Sequence, residues 1–199
     1  MKLLIATSNP GKMHEFRLLI DLPELELVAP SEIGLKLEVE ENGATYAENA
    51  ALKGRAFSSA SGMLTLADDS GLEVEALGGL PGLRSARFVN EAGATDADRR
   101  RFLVAHLNGR LRPWTARFRC VVALVDSQGK VDLAEGVCDG EIVPQERGVN
   151  GFGYDPVFWI PGLGKTTAEL DTIQKNQISH RARAVRAILP KIQEHLSKS

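Results

Sequence analysis

Met63-Leu64-Thr65-Leu66-Ala67-Asp68-Asp69-Ser70-Gly71-Leu72 is the stretch on which the reading of the fold turns. Met63 to Ala67 is an apolar run of strand length, and Leu72 to Leu77 alternates apolar and acidic residues as a half-buried strand does. The expectation is therefore strand, turn, strand, with Asp68-Asp69-Ser70-Gly71 as the turn between them. Two readings fit such a turn. Asp, Ser and Gly are ordinary solvated turn residues. Paired carboxylates at the end of a rigid strand also suit a hard cation such as Mg²⁺, which takes oxygen ligands and keeps waters.

Toward the N-terminus the pattern is strand, polar loop, helix. Lys2 to Thr7 is nearly unbroken apolar sequence, Thr7-Ser8-Asn9-Pro10-Gly11-Lys12 is a loop, and Met13, Phe16, Leu19 and Ile20 fall at helical spacing. Backbone N–H groups at such a helix start, with Lys12 beside them, form an anion site; an Asn-capped βα turn needs no ligand at all. A second strand is expected over Glu26 to Ala29, then a loop carrying Glu38, Glu40 and Glu41. Thr45 and Glu48 have capping-box spacing, which predicts a helix from Tyr46 to about Ser59. Asn49 and Lys53, four apart, project from nearly the same side of it.

Toward the C-terminus, the glycines and proline of 77–83 argue for a loop, either mobile or tight. Thr95 caps a further helix, with Phe102, Leu103, His106 and Leu107 near its buried side. Trp114 to Val125 reads as a long strand, Asp126 to Gly129 as a hairpin turn, and Lys130 to Cys138 as its antiparallel return. Asp139-Gly140 is expected to bend the chain before a short edge strand, Glu141 to Pro144. In Gly148 to Pro156, Phe152 and Tyr154 stand among glycines. There they either pack inward or offer a ring for a base to stack on. Val157 to Ile160 is strand-like. Pro161 to Thr167 imitates a P-loop but has Trp159 where the first glycine belongs, so it reads as a loop and helix start. Asp171 to Ile178 leads into Ser179-His180-Arg181 and a last helix, with Ala182, Val185, Ile188, Leu189 and Ile192 as its apolar stripe. Pro190 is expected to kink or interrupt that helix. Together these elements make a mixed α/β fold in one domain spanning 1–199.

The 24 basic and 26 acidic residues give a net charge of −2. That is a poor basis for a nucleic-acid binder working through phosphate contacts. Cys120 and Cys138 fit buried thiols in a reducing compartment. The longest apolar runs are far shorter than a membrane span, and the polar N-terminus has no signal-peptide core. The expectation is a cytoplasmic protein that acts on a small molecule, with neither nucleic acid nor membrane as partner.

Taken together, carboxylates, lysines at a helix start, an aromatic in a glycine loop and a His-Arg pair are an inventory for a nucleoside triphosphate with Mg²⁺. Six stretches also stand in a familiar order: Thr7-Ser8-Asn9-Pro10-Gly11-Lys12, Glu48-Asn49-Ala50-Ala51-Leu52-Lys53, Asp68-Asp69-Ser70-Gly71-Leu72, Gly78-Gly79-Leu80-Pro81-Gly82, Gly151-Phe152-Gly153-Tyr154-Asp155-Pro156 and Ser179-His180-Arg181-Ala182. In this the chain resembles, over nearly its whole length, the non-canonical purine nucleoside triphosphate pyrophosphatases, the inosine/xanthosine triphosphate diphosphatases. Ser8 is a small departure, since many members carry glycine there.

The resemblance implies an elongated mixed-sheet α/β fold with two lobes and a central substrate cleft, and a homodimer. It implies hydrolysis of ITP, dITP and XTP to the monophosphate and pyrophosphate, with Mg²⁺ or its substitute Mn²⁺. By it, Thr7, Ser8, Asn9, Pro10, Gly11 and Lys12 hold phosphates with Lys53 near them. Asp69 is the general base and a metal ligand, with Glu40 as its acidic partner and Glu41 as a close rival. Asp68 supports the metal or its waters, and Ser70 contacts substrate. Phe152 stacks on the base, Gly153, Tyr154 and Asp155 shape its pocket, and Lys175, His180 and Arg181 read the purine edge.

Overall fold

The computed structural model describes residues 1–197. Seven strands form one mixed sheet in the order β2-β1-β3-β4-β5-β6-β7. They are β1 (Lys2–Ile5), β2 (Glu26–Val28), β3 (Thr65–Val74), β4 (Trp114–Val125), β5 (Val131–Ile142), β6 (Phe158–Ile160) and β7 (Lys165–Thr166). Five α-helices accompany them: α1 (Pro10–Leu19), α2 (Tyr46–Ser61), α3 (Asp96–Leu107), α4 (Thr172–Ile178) and α5 (His180–Leu196). The chain divides into two compact units. The first is Met1–Asp69, Cys120–Gly136 and the chain from His180 onward; the second is Ser70–Arg119 and Val137–Ser179.

In the first unit β1 pairs in parallel with both β2 and β3. Parallel pairing requires helical crossovers, which α1 and α2 supply. The period-2 alternation of strand side chains sorts the core into two faces. Leu3, Ile5, Leu66, Cys120, Val122 and Leu124 pack with Met13 and Phe16 of α1, with Ile20 just after it, and with Val185, Ile188 and Ile192 of α5. Leu4, Ala6 and Ala67 pack with Phe57 of α2. The second unit has its own core, built from Leu72 and Val74 of β3, Leu103 and Leu107 of α3, Trp114 and Phe118 of β4, and Tyr154, Val157 and Phe158.

Most local signals hold. Asn9 caps α1 by accepting from the Lys12 N–H at 3.1 Å. Thr45 Oγ1 accepts from the Glu48 N–H at 3.1 Å, although the Glu48 carboxylate closes the cap on Ala44 N–H, one residue earlier than expected. The β4–β5 turn closes with Asp126 N–H donating to the Lys130 carbonyl at 3.1 Å. So short a link joins only antiparallel neighbours. Glycine-rich 78–82 is a tight turn, in which Gly79 N–H donates to the Val74 carbonyl at 3.0 Å.

Four readings are corrected. Asp68 and Asp69 do not lie in a turn: β3 runs unbroken from Thr65 to Val74, and Gly71 has ordinary extended backbone. The acids are 1% and 7% exposed, so they are core positions of a strand and not a solvated loop. Asp139-Gly140 is no bend, and Glu141 belongs to the same strand, because β5 continues to Ile142. Gly140 serves close approach: a Cβ there would sit 2.7 Å from the Phe158 ring. Pro190 lies inside α5 without interrupting it. Pro190 itself is exposed, while Ile188 and Ile192 of the same helix stay packed in the core. Lys165-Thr166 is a strand followed by a single 3₁₀ turn and not the start of a longer helix.

Candidate active site

The first unit gathers charge around β3. Consecutive strand residues point to opposite faces. Asp68 therefore faces α1 and α5, and Asp69 faces α2. Lys12 Nζ lies 2.9 Å from Asp68 Oδ2, and Arg181 Nη2 donates to the same oxygen at 3.1 Å. Lys53 reaches Asp68 from the α2 side, but through the backbone: its Nζ donates to the Asp68 carbonyl at 2.7 Å and pairs with Glu41 at 2.9 Å. Two lysines from opposite faces of the sheet thus converge on one residue.

These partners separate the two aspartates electrostatically. Burial works against the charged form of Asp68, but Lys12, Arg181 and Lys53 outweigh it and hold the carboxyl well below the usual carboxylate range. Asp69 moves the other way. Burial is the largest cause, the Asn49 hydrogen bond opposes it, and the negative charge of Glu41 adds to the rise. Lys53 is held charged more firmly than usual, because Asp68, Glu41 and Asp69 together outweigh its burial. A carboxylate that is reluctant to lose its proton, beside a lysine that keeps its own, is the split expected of a base next to an anion site.

Asn49 links this centre to the acidic loop. Its Nδ2 donates to Asp69 Oδ2 at 2.9 Å, and its Oδ1 accepts from the Gly43 N–H at 2.8 Å. The loop is thereby held so that Glu41 faces Lys53 and Asp69. Glu40, the acid expected beside Asp69, is exposed. Ser8, Asn9 and Pro10 are exposed at the start of α1, with Thr7, Gly11 and Lys12 half-buried beside them.

Arg181 is 1% exposed, and its two terminal nitrogens bond Glu15 and Asp68 within this unit. Burial opposes its charge, but Glu15 and Asp68 hold it above the ordinary arginine value. A guanidinium enclosed by two carboxylates acts as their counter-ion. His180, in the same first turn of α5, is also buried. Cys120 lies beside Asp68, and burial pushes its thiol up to about 12, so it is an inert core group.

The second unit builds a different site. Asp155 organises the Gly151–Asp155 loop: its Oδ2 accepts from the Phe152 N–H at 2.9 Å and from Lys175 Nζ at 2.6 Å, and its Oδ1 accepts from Thr167 Oγ1 at 2.8 Å. Lys175 Nζ lies 5.1 Å from the Phe152 ring centroid, within cation–π range. Gly153 is clamped on both sides, its N–H by Asp96 and its carbonyl by Arg100, each at 2.8 Å. Tyr154 is buried, and its hydroxyl donates to the Ser85 carbonyl at 2.9 Å, so it supports the loop and presents no face to a ligand. Ser70, half-buried, begins this unit's share of β3.

Glu15, Asn49, Asp96, Arg100 and Thr167 were not singled out as site residues from the sequence. Asn49 alone had a usable signal, its shared helix side with Lys53.

Comparison with known proteins was made against this geometry. The model of the Ham1 family matches residues 3–191. A dITP/XTP pyrophosphatase of Desulforamulus reducens is 45% identical over 187 residues, covering 94% of this chain and 92% of the relative. One from Nostoc sp. is 44% identical over 199 residues, covering 99% and 97%. The solved structure of a HAM1 protein from Coxiella burnetii superposes with a TM-score of 0.87 at 36% identity, covering 98% of this chain and 99% of that one.

Proposed function

The chain belongs to the Ham1 family, and from that premise we propose that it hydrolyses dITP and XTP, the substrates in the names of its relatives, and ITP with them, to the monophosphate and pyrophosphate. The observation that carries this reading is the divided pair on β3: Asp68 held ionised by cations, and Asp69 biased toward holding a proton. Asp69 accepts a proton from the attacking water, whose oxygen bonds to the α-phosphorus. The bond from that phosphorus to the bridging oxygen breaks, and pyrophosphate leaves with the electron pair. Lys12 and Lys53 neutralise charge on the leaving phosphates.

Mg²⁺ fits the residues present. It asks for one or two carboxylates and completes its shell with waters and substrate phosphates. Asp69 with Glu41 provides that pair; among the described residues no group of three or more such ligands gathers into a cage. When bound, the ion would neutralise phosphate charge and acidify the attacking water.

In the second unit, Phe152 is the stacking ring and Lys175 the donor at the base edge. An ammonium donates and never accepts. It suits the 6-oxo group of hypoxanthine and xanthine and opposes the 6-amino group of adenine. Discrimination built on such a buried polar contact reaches on the order of 10⁴-fold.

The test is pyrophosphate release from dITP, ITP, XTP, GTP and ATP, with Mg²⁺ and with EDTA. Release from dITP, ITP and XTP far above that from ATP, and abolished by chelation, is expected. Equal turnover of ATP, or turnover indifferent to EDTA, would overturn the reading. Asp155→Ala removes the partner of Lys175 and of the Phe152 N–H, and it should raise KM for dITP about tenfold through misplacement of the ring. Binding of inorganic pyrophosphate, measured by calorimetry, should stay unchanged.

A further inference from the structure

Gly136 lies inside β5, buried, with no need of left-handed backbone. Its reason is contact. A Cβ at this position would run into the His180 carbonyl oxygen and the Ala184 backbone nitrogen, and would sit 2.8 Å from Arg183 Cβ. Two of these three neighbours are backbone atoms of the first turns of α5. Trimming a side chain cannot relieve them; the helix start itself must move. Glycine inside a strand marks just such an approach of another backbone. The same turn is held from α1, where buried Glu15 bonds the Arg181 guanidinium. Arg181 in turn bonds Asp68, the residue on which Lys12 and Lys53 converge.

We propose that Gly136 is a positioning residue for the phosphate site: the close seat it gives α5 sets Arg181 on Asp68, and so sets where Lys12 and Lys53 present their charge. The proposal rests on the phosphate role given to those lysines above. Without the seat, Arg181 withdraws from Asp68. Asp68 then draws Lys12 more strongly to itself, and phosphate meets a displaced and less available cation. No residue contributed by Gly136 touches substrate, so its effect travels only through the helix start.

Gly136→Ala is the direct test, with Ile192→Ala as its control. Ile192 is fully buried on the same helix, twelve residues further on, about 18 Å along the axis. Its truncation lowers stability through a cavity but leaves the first turn in place. Calorimetric binding of inorganic pyrophosphate reads the lysines without requiring turnover. A displacement of this kind costs roughly tenfold to a hundredfold when it misplaces a reacting or binding group. Gly136→Ala is expected to weaken pyrophosphate binding by that amount and to raise KM for dITP in parallel, while Ile192→Ala lowers the melting temperature and changes neither.

Glu15→Gln loosens the same turn from its other side. If both act through Arg181, the double variant loses no more than the worse single one, whereas independent losses would multiply. Unchanged pyrophosphate binding in folded Gly136→Ala overturns the proposal, as does an equal loss in Ile192→Ala. If Gly136→Ala does not fold, Glu15→Gln decides alone, and undiminished pyrophosphate binding in it overturns the proposal. A parent protein that binds pyrophosphate yet turns over no nucleotide would sink the proposed activity and leave the seat to be judged by the binding ratios.

Discussion

Asp69→Asn is expected to lower pyrophosphate release from dITP by at least about 10³-fold, the scale of a lost general base. The same variant should melt no lower than the parent at neutral pH. Asp69 has a raised pKa, chiefly through burial. The folded state therefore favours its protonated form, and ionisation subtracts stability as pH rises through the ordinary aspartate range. Asn has no such charge to bury, keeps the shape, and still meets Asn49. The stability difference should vanish well below pH 4, where both proteins are neutral at this position. Residual turnover within tenfold of the parent would remove Asp69 from the role of base. A large fall in melting temperature would make it structural.

Asp68→Asn should behave in the opposite way. It leaves Lys12 and Arg181 without the carboxylate that faces them both at the sheet. Breaking a buried pair by removing one partner costs about 3 kcal/mol or more, or roughly 10 °C of melting temperature for a chain of this size. The pH dependence follows from the depressed pKa. Stability supplied by Asp68 is complete above its unfolded pKa near 4 and is lost as pH falls toward the folded value. The parent should therefore lose stability on acidification more steeply than the variant, and urea melts at pH 7 and pH 3 would show the gap closing. Equal stability of the two at pH 7 would deny Asp68 the role of buried counter-ion. Activity should also fall, because Lys12 loses the carboxylate that places it, while Lys53 keeps the Asp68 carbonyl.

The sequence made the local grammar legible. Asn9 and Thr45 announced two helix starts, the 126–130 turn announced its hairpin, and the long apolar run of β4 announced a central strand. The six ordered motifs also led to the family. What stayed hidden was set by distance along the chain. Asp-Asp-Ser-Gly has turn composition, and only partners far away in sequence, among them an arginine 113 positions on, make it a buried strand. Nothing near Glu15 in sequence marks it as buried, because the arginine it bonds lies 166 positions away. The placing of Glu41 against Lys53 goes with Asn49 fastening Gly43, a contact that loop spacing does not encode. The carboxylates that bury Arg181 belong to α1 and β3, and spacing around Ser179-His180-Arg181 does not encode them.

The unbroken course of β3 has one more consequence. Which aspartate becomes the base is decided by the register of a backbone ladder. Leu4 stands opposite Thr65 and Ile5 opposite Leu66, fixed by Leu4 N–H on the Leu64 carbonyl at 3.0 Å and Ala6 N–H on the Leu66 carbonyl at 2.8 Å. Slipping that ladder by a single residue would turn every side chain of the strand to the other face. Slipped one way, Asp69 would take the place beside the Arg181 counter-ion and Ser70 would meet Asn49; slipped the other way, Asp68 would meet Asn49 and Ala67 would face Arg181. Neither register keeps one carboxylate on each face in these places.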